Sequence, residues 1–208
     1  MIRGDFEEPK SVTPLFAYPI CRVEETYKMD TTELNFVKNL NYHNSSFNKM
    51  SKNQNILDMP ELSNLKIWIQ KQINNYFFNL LKVKDIEEIY ITQSWSNITE
   101  KGKSHHIHSH PNSIISGVLH FNEDDSSINF HSPSPPFCLD FNFLEYNILN
   151  STLWRFPTKK YGLILFPSTL KHNVNTQEIA RDRISLSFNT WIKGKVGDKN
   201  TSTLLKIK

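Results

Sequence analysis

The chain is poor in cysteine: Cys21 and Cys138 are its only two in 208 residues, too few for a disulfide framework and suited to a reducing compartment. It lacks any run of about 18 apolar residues, the length a membrane-spanning helix needs, and it shows no charged-then-apolar leader pattern. A cytoplasmic chain without a membrane partner is therefore expected. Charge of one sign is scarce as well, since 24 Lys and Arg against 21 Asp and Glu leave a net +3. With no basic block and no aromatic-basic ladder, nucleic acid is not an expected partner, and the scattered lysines read as a solvated exterior. Internal repeats and low-complexity linkers are missing too. One domain over residues 1–208 is expected, and 38% apolar with 12% aromatic content can fill a single core.

What the chain does have is histidine. Four of its eight fall within six residues, His105, His106, His108 and His110 in "GKSHHIHSHPNS", and His172 sits alone in "LFPSTLKHNVN". On a strand, His106, His108 and His110 would share one face while His105, Ile107 and Ser109 take the other. Pro111 marks where such a strand stops, because it cannot donate to a ladder. The cluster reads either as a metal site or as a solvated polar patch. Spacing alone leaves iron, zinc and copper open, since imidazole suits all three. His43 and His131 have no such company and read as surface or packing residues.

A second signal follows His172. "GLILF" is an apolar strand closed by a Pro-Ser turn, and "RDRISLSFNTW" alternates strictly. Arg183, Ser185, Ser187 and Asn189 face one way; Ile184, Leu186, Phe188 and Thr190 face the other. Such a stripe is most often simply wet. An arginine with a serine two residues on is also a ready fork and hydroxyl for a carboxylate, because guanidinium binds carboxylate bidentately.

In this order the motifs "HSHPNSIISGV", "LFPSTLKHNV" and "RISLSFN" resemble the iron(II) and 2-oxoglutarate dependent oxygenases. They are most similar to a subfamily of short 2OG-Fe(II) oxygenases with the pattern HxHPNSxxSGV, LFPSxLxHxV and RISxSFN. The resemblance runs from about "QSWSNI" at Gln93 to Trp191, and more weakly to "LFAYPI". It implies His108, His110 and His172 as ligands of Fe(II), with Arg183 and Ser185 holding the distal carboxylate of 2-oxoglutarate. His120 would assist there, Asn97 would meet the cosubstrate's other end, and His106 would be either a supporting neighbour of a ligand or a solvent-facing residue. The interval from His172 to Arg183 is 183 minus 172, eleven residues, close to the family's own.

The implied enzyme is a hydroxylase-type dioxygenase that uses molecular oxygen, oxidises an unknown small molecule or peptide or protein, and decarboxylates 2-oxoglutarate to succinate. One departure stands out: the wider superfamily usually has a carboxylate where this chain has His110. Two alternatives stay open for that reason, a three-histidine dioxygenase that does not use 2-oxoglutarate and a cupin-like metal-binding protein without turnover. Asp124 or Asp125 approaching the metal is a further option, although both sit in the turn-like "NEDDSS".

The implied fold is mainly β, a double-stranded β-helix or jelly roll of the cupin-like kind, with N-terminal helices packed on one sheet. Residues 1–87 form the extended and helical part, 88–192 the jelly-roll core and 193–208 a polar tail in which "STLLKIK" can add an edge strand. "TTELNFVKNL" is a helix with a Thr cap, and Leu62, Leu65, Ile67, Trp68, Ile73, Phe77 and Leu80 line the apolar face of a second one. The eight expected strands are "EIYITQSWSNI", "SHHIHSH", "IISGVLHFN", "SINFHS", "CLDFNF", "TLWRFPT", "GLILFPS" and "RISLSFNTW". The loop "SPSPPFCLDFNFLEYN" reads as a surface loop or the rim of a substrate mouth. A homodimer is compatible with this kind of barrel.

Overall fold

The computed structural model describes residues 13–122, 127–134 and 137–208. Helix α1 spans Thr31–Lys38, and its cap is Asp30 rather than a threonine. The Asp30 carboxylate accepts from the Glu33 amide at 2.8 Å, and the Glu33 carboxylate accepts from the Asp30 amide at 3.0 Å. Two otherwise unsatisfied amides are met reciprocally, which fixes the helix start. Helix α2 spans Ser63–Asn74, entered by a 3₁₀ turn with Pro60 at its head and continued by a π-helical turn, Asn75–Leu80.

The apolar face of α2 differs in phase from the expected one. Leu62, Leu65, Ile69 and Ile73 are buried at intervals of three and four, whereas Ile67 is 70% exposed and Leu80 58%. Ile67 lies two residues from both Leu65 and Ile69, on the far side of a 3.6-residue turn. The wider π turn then carries both Tyr76 and Phe77 inward and leaves Leu80 outside.

Among the described residues there are twelve strands, in chain order β1 Cys21–Arg22, β2 Tyr42–Asn44, β3 Lys49–Ser51, β4 Ile86–Thr99, β5 His105–His108, β6 Ile115–His120, β7 Ser127–His131, β8 Leu153–Pro157, β9 Leu163–Pro167, β10 His172–Val174, β11 Arg183–Val196 and β12 Leu205–Ile207. The major sheet runs β1-β9-β6-β11-β4-β3-β2 with β12 paired to β11, and the minor sheet runs β5-β10-β7-β8. From β4 to β11 the chain deals strands out to both sheets, which is the double-stranded β-helix. The expected strand "CLDFNF" is irregular, and the eighth strand is instead β10, three residues long and too short to show a period. No helix among the described residues is long and apolar enough to cross a membrane.

Both faces of the major sheet are covered, which is why "GLILF" is apolar throughout. Leu119, Leu163, Leu165, Leu186 and Phe188 pack toward Leu65, Ile69 and Ile73 of α2. Val118, Ile164 and Phe166 point the other way, to Ile128, Phe130 and Leu170 of the barrel interior. Gly117 sits opposite Phe188 and Leu165 in the ladder, and a methyl placed on it would run into both side chains. We expect Gly117→Ala to cost about 1–3 kcal/mol through overpacking. A denaturant midpoint equal to that of the parent chain would show instead that the Phe188 ring steps aside at no cost.

Candidate metal centre

The histidine stretch forms β5, and β5 pairs with β10 so that His108 faces His172 while His105 faces Val174. Three steps on β5 thus match two on β10, the signature of a β-bulge. The bulge breaks the expected alternation. His105 and His108 both line the cavity between the sheets, whereas His106 and Ile107 are exposed. His110 lies beyond the strand, in the turn that leads to β6, and its backbone amide donates to the Ser168 carbonyl at 2.9 Å.

Ring nitrogens of His108, His110 and His172 all lie within 4.8 Å of one another. In each ring Nδ1 faces an acceptor: His108 Nδ1 meets the His106 carbonyl at 2.9 Å, His172 Nδ1 the Leu170 carbonyl at 3.0 Å, and His110 Nδ1 the Asn189 Oδ1 at 2.6 Å. A carbonyl can only accept, so Nδ1 carries the proton in all three rings and Nε2 keeps its lone pair. His108 Nε2 and His110 Nε2 then face each other at 3.1 Å with no proton between them. Two lone pairs held that close repel unless a cation lies between them. Ligands at ~2.1 Å and 90° apart stand about 3 Å from each other, so the donor set fits a transition-metal ion.

The electrostatics agree with ligand chemistry. Burial, reinforced by the neighbouring histidines, pushes His172 down to about 3 and His108 to about 4, against the small upward pull of their carbonyl partners. Burial also lowers His110 and His105. Metal ligands must be neutral imidazoles, and these rings are neutral near pH 7. Phe166 meets the His172 ring edge-on at 4.7 Å between centroids, an apolar wall behind the ligand. Behind His110, Ser116 Oγ lies 2.9 Å from both Nδ1 and Asn189 Oδ1 and 2.8 Å from Ser168 Oγ. His110 is thereby held in orientation by two sheet strands, β6 and β11.

The same cavity is lined by Asn48, Trp95, Asn97, Thr99, Val118, His120, Ile128, Arg183, Ser185 and Ser187. The stripe Arg183, Ser185, Ser187 and Asn189 therefore faces inward. Arg183 is buried and its Nη2 donates to Thr99 Oγ1 at 3.1 Å. Ser185 pairs in register with Asn97 on one side and His120 on the other, so the expected carboxylate-binding residues share one patch. Asn97 Oδ1 accepts from Asn48 Nδ2 at 3.2 Å.

The His106 ring is exposed and packs on Phe47 at 4.3 Å, and its carbonyl accepts from His108 Nδ1 at 2.9 Å. Asp124 and Asp125 lie outside the described residues. No site role is expected from sequence for Asn189, Ser116, Thr99 or Trp95, although Asn189 closes both "RISLSFN" and the period-two stripe from Arg183, and Ser116 stands in "HSHPNSIISGV".

Residues 93–189 match the sequence model of the family described as "putative 2OG-Fe(II) oxygenase". No curated protein matches the chain in sequence. Among solved structures, it is similar to an oxidoreductase of the 2OG-Fe(II) oxygenase family from Burkholderia pseudomallei, at 13% identity and TM-score 0.58, covering 82% of this chain and 83% of that one. A prolyl-4-hydroxylase from Pseudomonas putida aligns at 11% identity and TM-score 0.56, covering 85% and 94%. HygX from Streptomyces hygroscopicus, solved with nickel and 2-oxoglutarate bound, aligns at 10% and 0.54, covering 83% and 82%. At these identities the likeness speaks for the fold.

Two outcomes follow from the geometry. Asn189→Ala should weaken metal binding by about 10–100-fold, the usual cost of losing a partner that orients a ligand, and a titration with Co(II) reads this directly. The His108 and His172 pKa values lie below the ~6.5 of an unfolded chain. Above that pH both states are neutral and the stability is fully present. As pH falls, the unfolded chain takes up protons first, so the metal-free protein should lose stability from about pH 6.5 down to about 4 for His108 and about 3 for His172. Thermal melts over that range check it: His172→Gln should flatten the slope, and an identical slope would contradict the assignment.

Proposed function

We propose that this chain, whose residues 93–189 match the 2OG-Fe(II) oxygenase family model, is an iron(II) and 2-oxoglutarate dependent oxygenase that hydroxylates its substrate while 2-oxoglutarate is converted to succinate. The observation that carries this reading is that ring nitrogens of His108, His110 and His172 converge within 4.8 Å of one another, beside a cavity that His108, His172 and the buried Arg183 line. His108, His110 and His172 would hold the ion through Nε2. Bound Fe(II) and 2-oxoglutarate together supply oxygen activation, with carbon dioxide and succinate as co-products.

The chain's own residues do the positioning. Arg183 is pinned by Thr99, and a guanidinium held in one pose loses less entropy on gripping a carboxylate. Ser185 and His120, its ladder neighbour, stand beside Arg183 to hydrogen-bond the same group. Asn97 and Ser187, joined at 3.4 Å, offer polar contacts further along the stripe. Trp95, Val118 and Ile128 add apolar surface that limits water in the cavity. The substrate is a small molecule or a peptide or protein.

The test is anaerobic addition of Fe(II) and then 2-oxoglutarate. A weak visible charge-transfer band should appear, fade on admission of oxygen with formation of succinate, and be missing in Arg183→Ala. An iron-loaded chain that gives no band and no succinate would end the cosubstrate assignment. Oxygen uptake that does not depend on 2-oxoglutarate would point to a three-histidine dioxygenase instead.

A further inference from the structure

The β5 bulge creates a second histidine trio beside the first. His105, His106 and His108 also offer ring nitrogens that all lie within 4.8 Å of one another. Their rings form one packed group: His105 and His108 centroids are 4.4 Å apart, His106 and His108 5.0 Å, and His105 and His106 4.9 Å. Phe47 from the β2–β3 hairpin packs on this group at 4.3 Å from His106 and 6.2 Å from His105. The trio stands at the mouth of the cavity, with His106 exposed to solvent and His105 and His108 half-buried.

We propose that His105, His106 and His108 form a second transition-metal site, for a borderline divalent ion of the Zn(II) type, which competes with the buried centre for His108. The competition rests on the buried centre being His108, His110 and His172; the mouth site itself does not.

The chemistry selects the class of ion. Three neutral imidazoles and water suit Zn(II) or Cu(II), and a site without an oxygen donor discriminates against Mg(II) and Ca(II). Nitrogens around a tetrahedral zinc at ~2.0–2.1 Å stand about 3.3 Å apart. Closing from within 4.8 Å requires the half-buried His105 and His108 rings to turn toward the exposed His106 and draws His108 Nε2 away from His110 Nε2, which it faces at 3.1 Å.

Sharing His108 is what couples the two sites. A neutral imidazole serves one ion, because bridging two would require loss of the Nδ1 proton, and that proton is held by the His106 carbonyl at 2.9 Å. An ion at the mouth therefore takes His108 away from His110 and His172. The buried centre is left with two ligands, and its ion is held more weakly.

Zinc titration tests this, with bound metal counted after dialysis. His110→Ala/His172→Ala removes the buried centre and should still bind one equivalent of Zn(II). Adding His105→Ala/His106→Ala should weaken that binding at least tenfold. In the otherwise unaltered chain loaded with Co(II), Zn(II) should displace the cobalt faster than it does from His105→Ala/His106→Ala, read from the cobalt absorption. Equal displacement from both chains, or zinc binding in the first variant that ignores His105 and His106, would overturn the proposal. A chain with a single zinc equivalent, lost with His105 and His106 and kept without His110 and His172, would support the mouth site and remove the basis of the oxygenase reading.

Discussion

Strand β11 is the element on which both the packing and the site depend. From Arg183 to Gly194 it pairs with β4, and from Ser185 to Asn189 it also pairs with β6. Held on both sides, it cannot slip by one residue without exchanging its faces. One face gives Ile184, Leu186 and Phe188 to the core under the helices. The other gives Arg183, Ser185 and Ser187 to the cavity and Asn189 to His110. The strict alternation of "RISLSFN" is thus required twice. A register that buried the core wrongly would also remove the guanidinium and the amide from the site.

Charge sets how that site can work. Three imidazoles leave the two positive charges of a divalent ion uncompensated, and the residue behind His110 is the amide of Asn189 rather than a carboxylate. Among the described residues, the cavity lining includes arginine and no aspartate or glutamate. Buried Arg183 lines the cavity together with His108 and His172, and a divalent ion on three neutral imidazoles would keep its own charge, so the dicarboxylate of the proposed cosubstrate would complement both.

Much of this was legible in the sequence, and the parts that were not have local causes. The eight-strand jelly roll followed from alternation and turn residues, yet one of the eight was misplaced. "CLDFNF" has a strand-like composition without a partner, whereas "HNV" pairs on both sides but is too short to show a period. The same limit affected the helix. Ile67 and Leu80 are apolar, and the sequence does not reveal that the π turn would rotate Tyr76 in and Leu80 out. His108, His110, His172 and Arg183 stand in the motifs; ring nitrogens of the three histidines lie within 4.8 Å of one another, and Arg183 lines the same cavity as His108 and His172. Asn189 closes the motif "RISLSFN" and shares a face with Arg183, but neither fact tells its partner, because a hydrogen bond between residues 79 positions apart has no local signature.

The most instructive misreading is the bulge. Strict period two would have aligned His106, His108 and His110 and turned His105 away. The extra residue in β5 reverses this for His105 and His106, and it also turns the His106 carbonyl toward His108 Nδ1. That contact fixes the His108 tautomer, which frees Nε2 for an ion. One inserted residue therefore prepares a ligand and, in the same step, gathers a second set of imidazoles at the opening. The bulge thus keeps the rings of His105 and His106 within 5.0 Å of His108 at the near end of the candidate centre instead of spreading them over the surface.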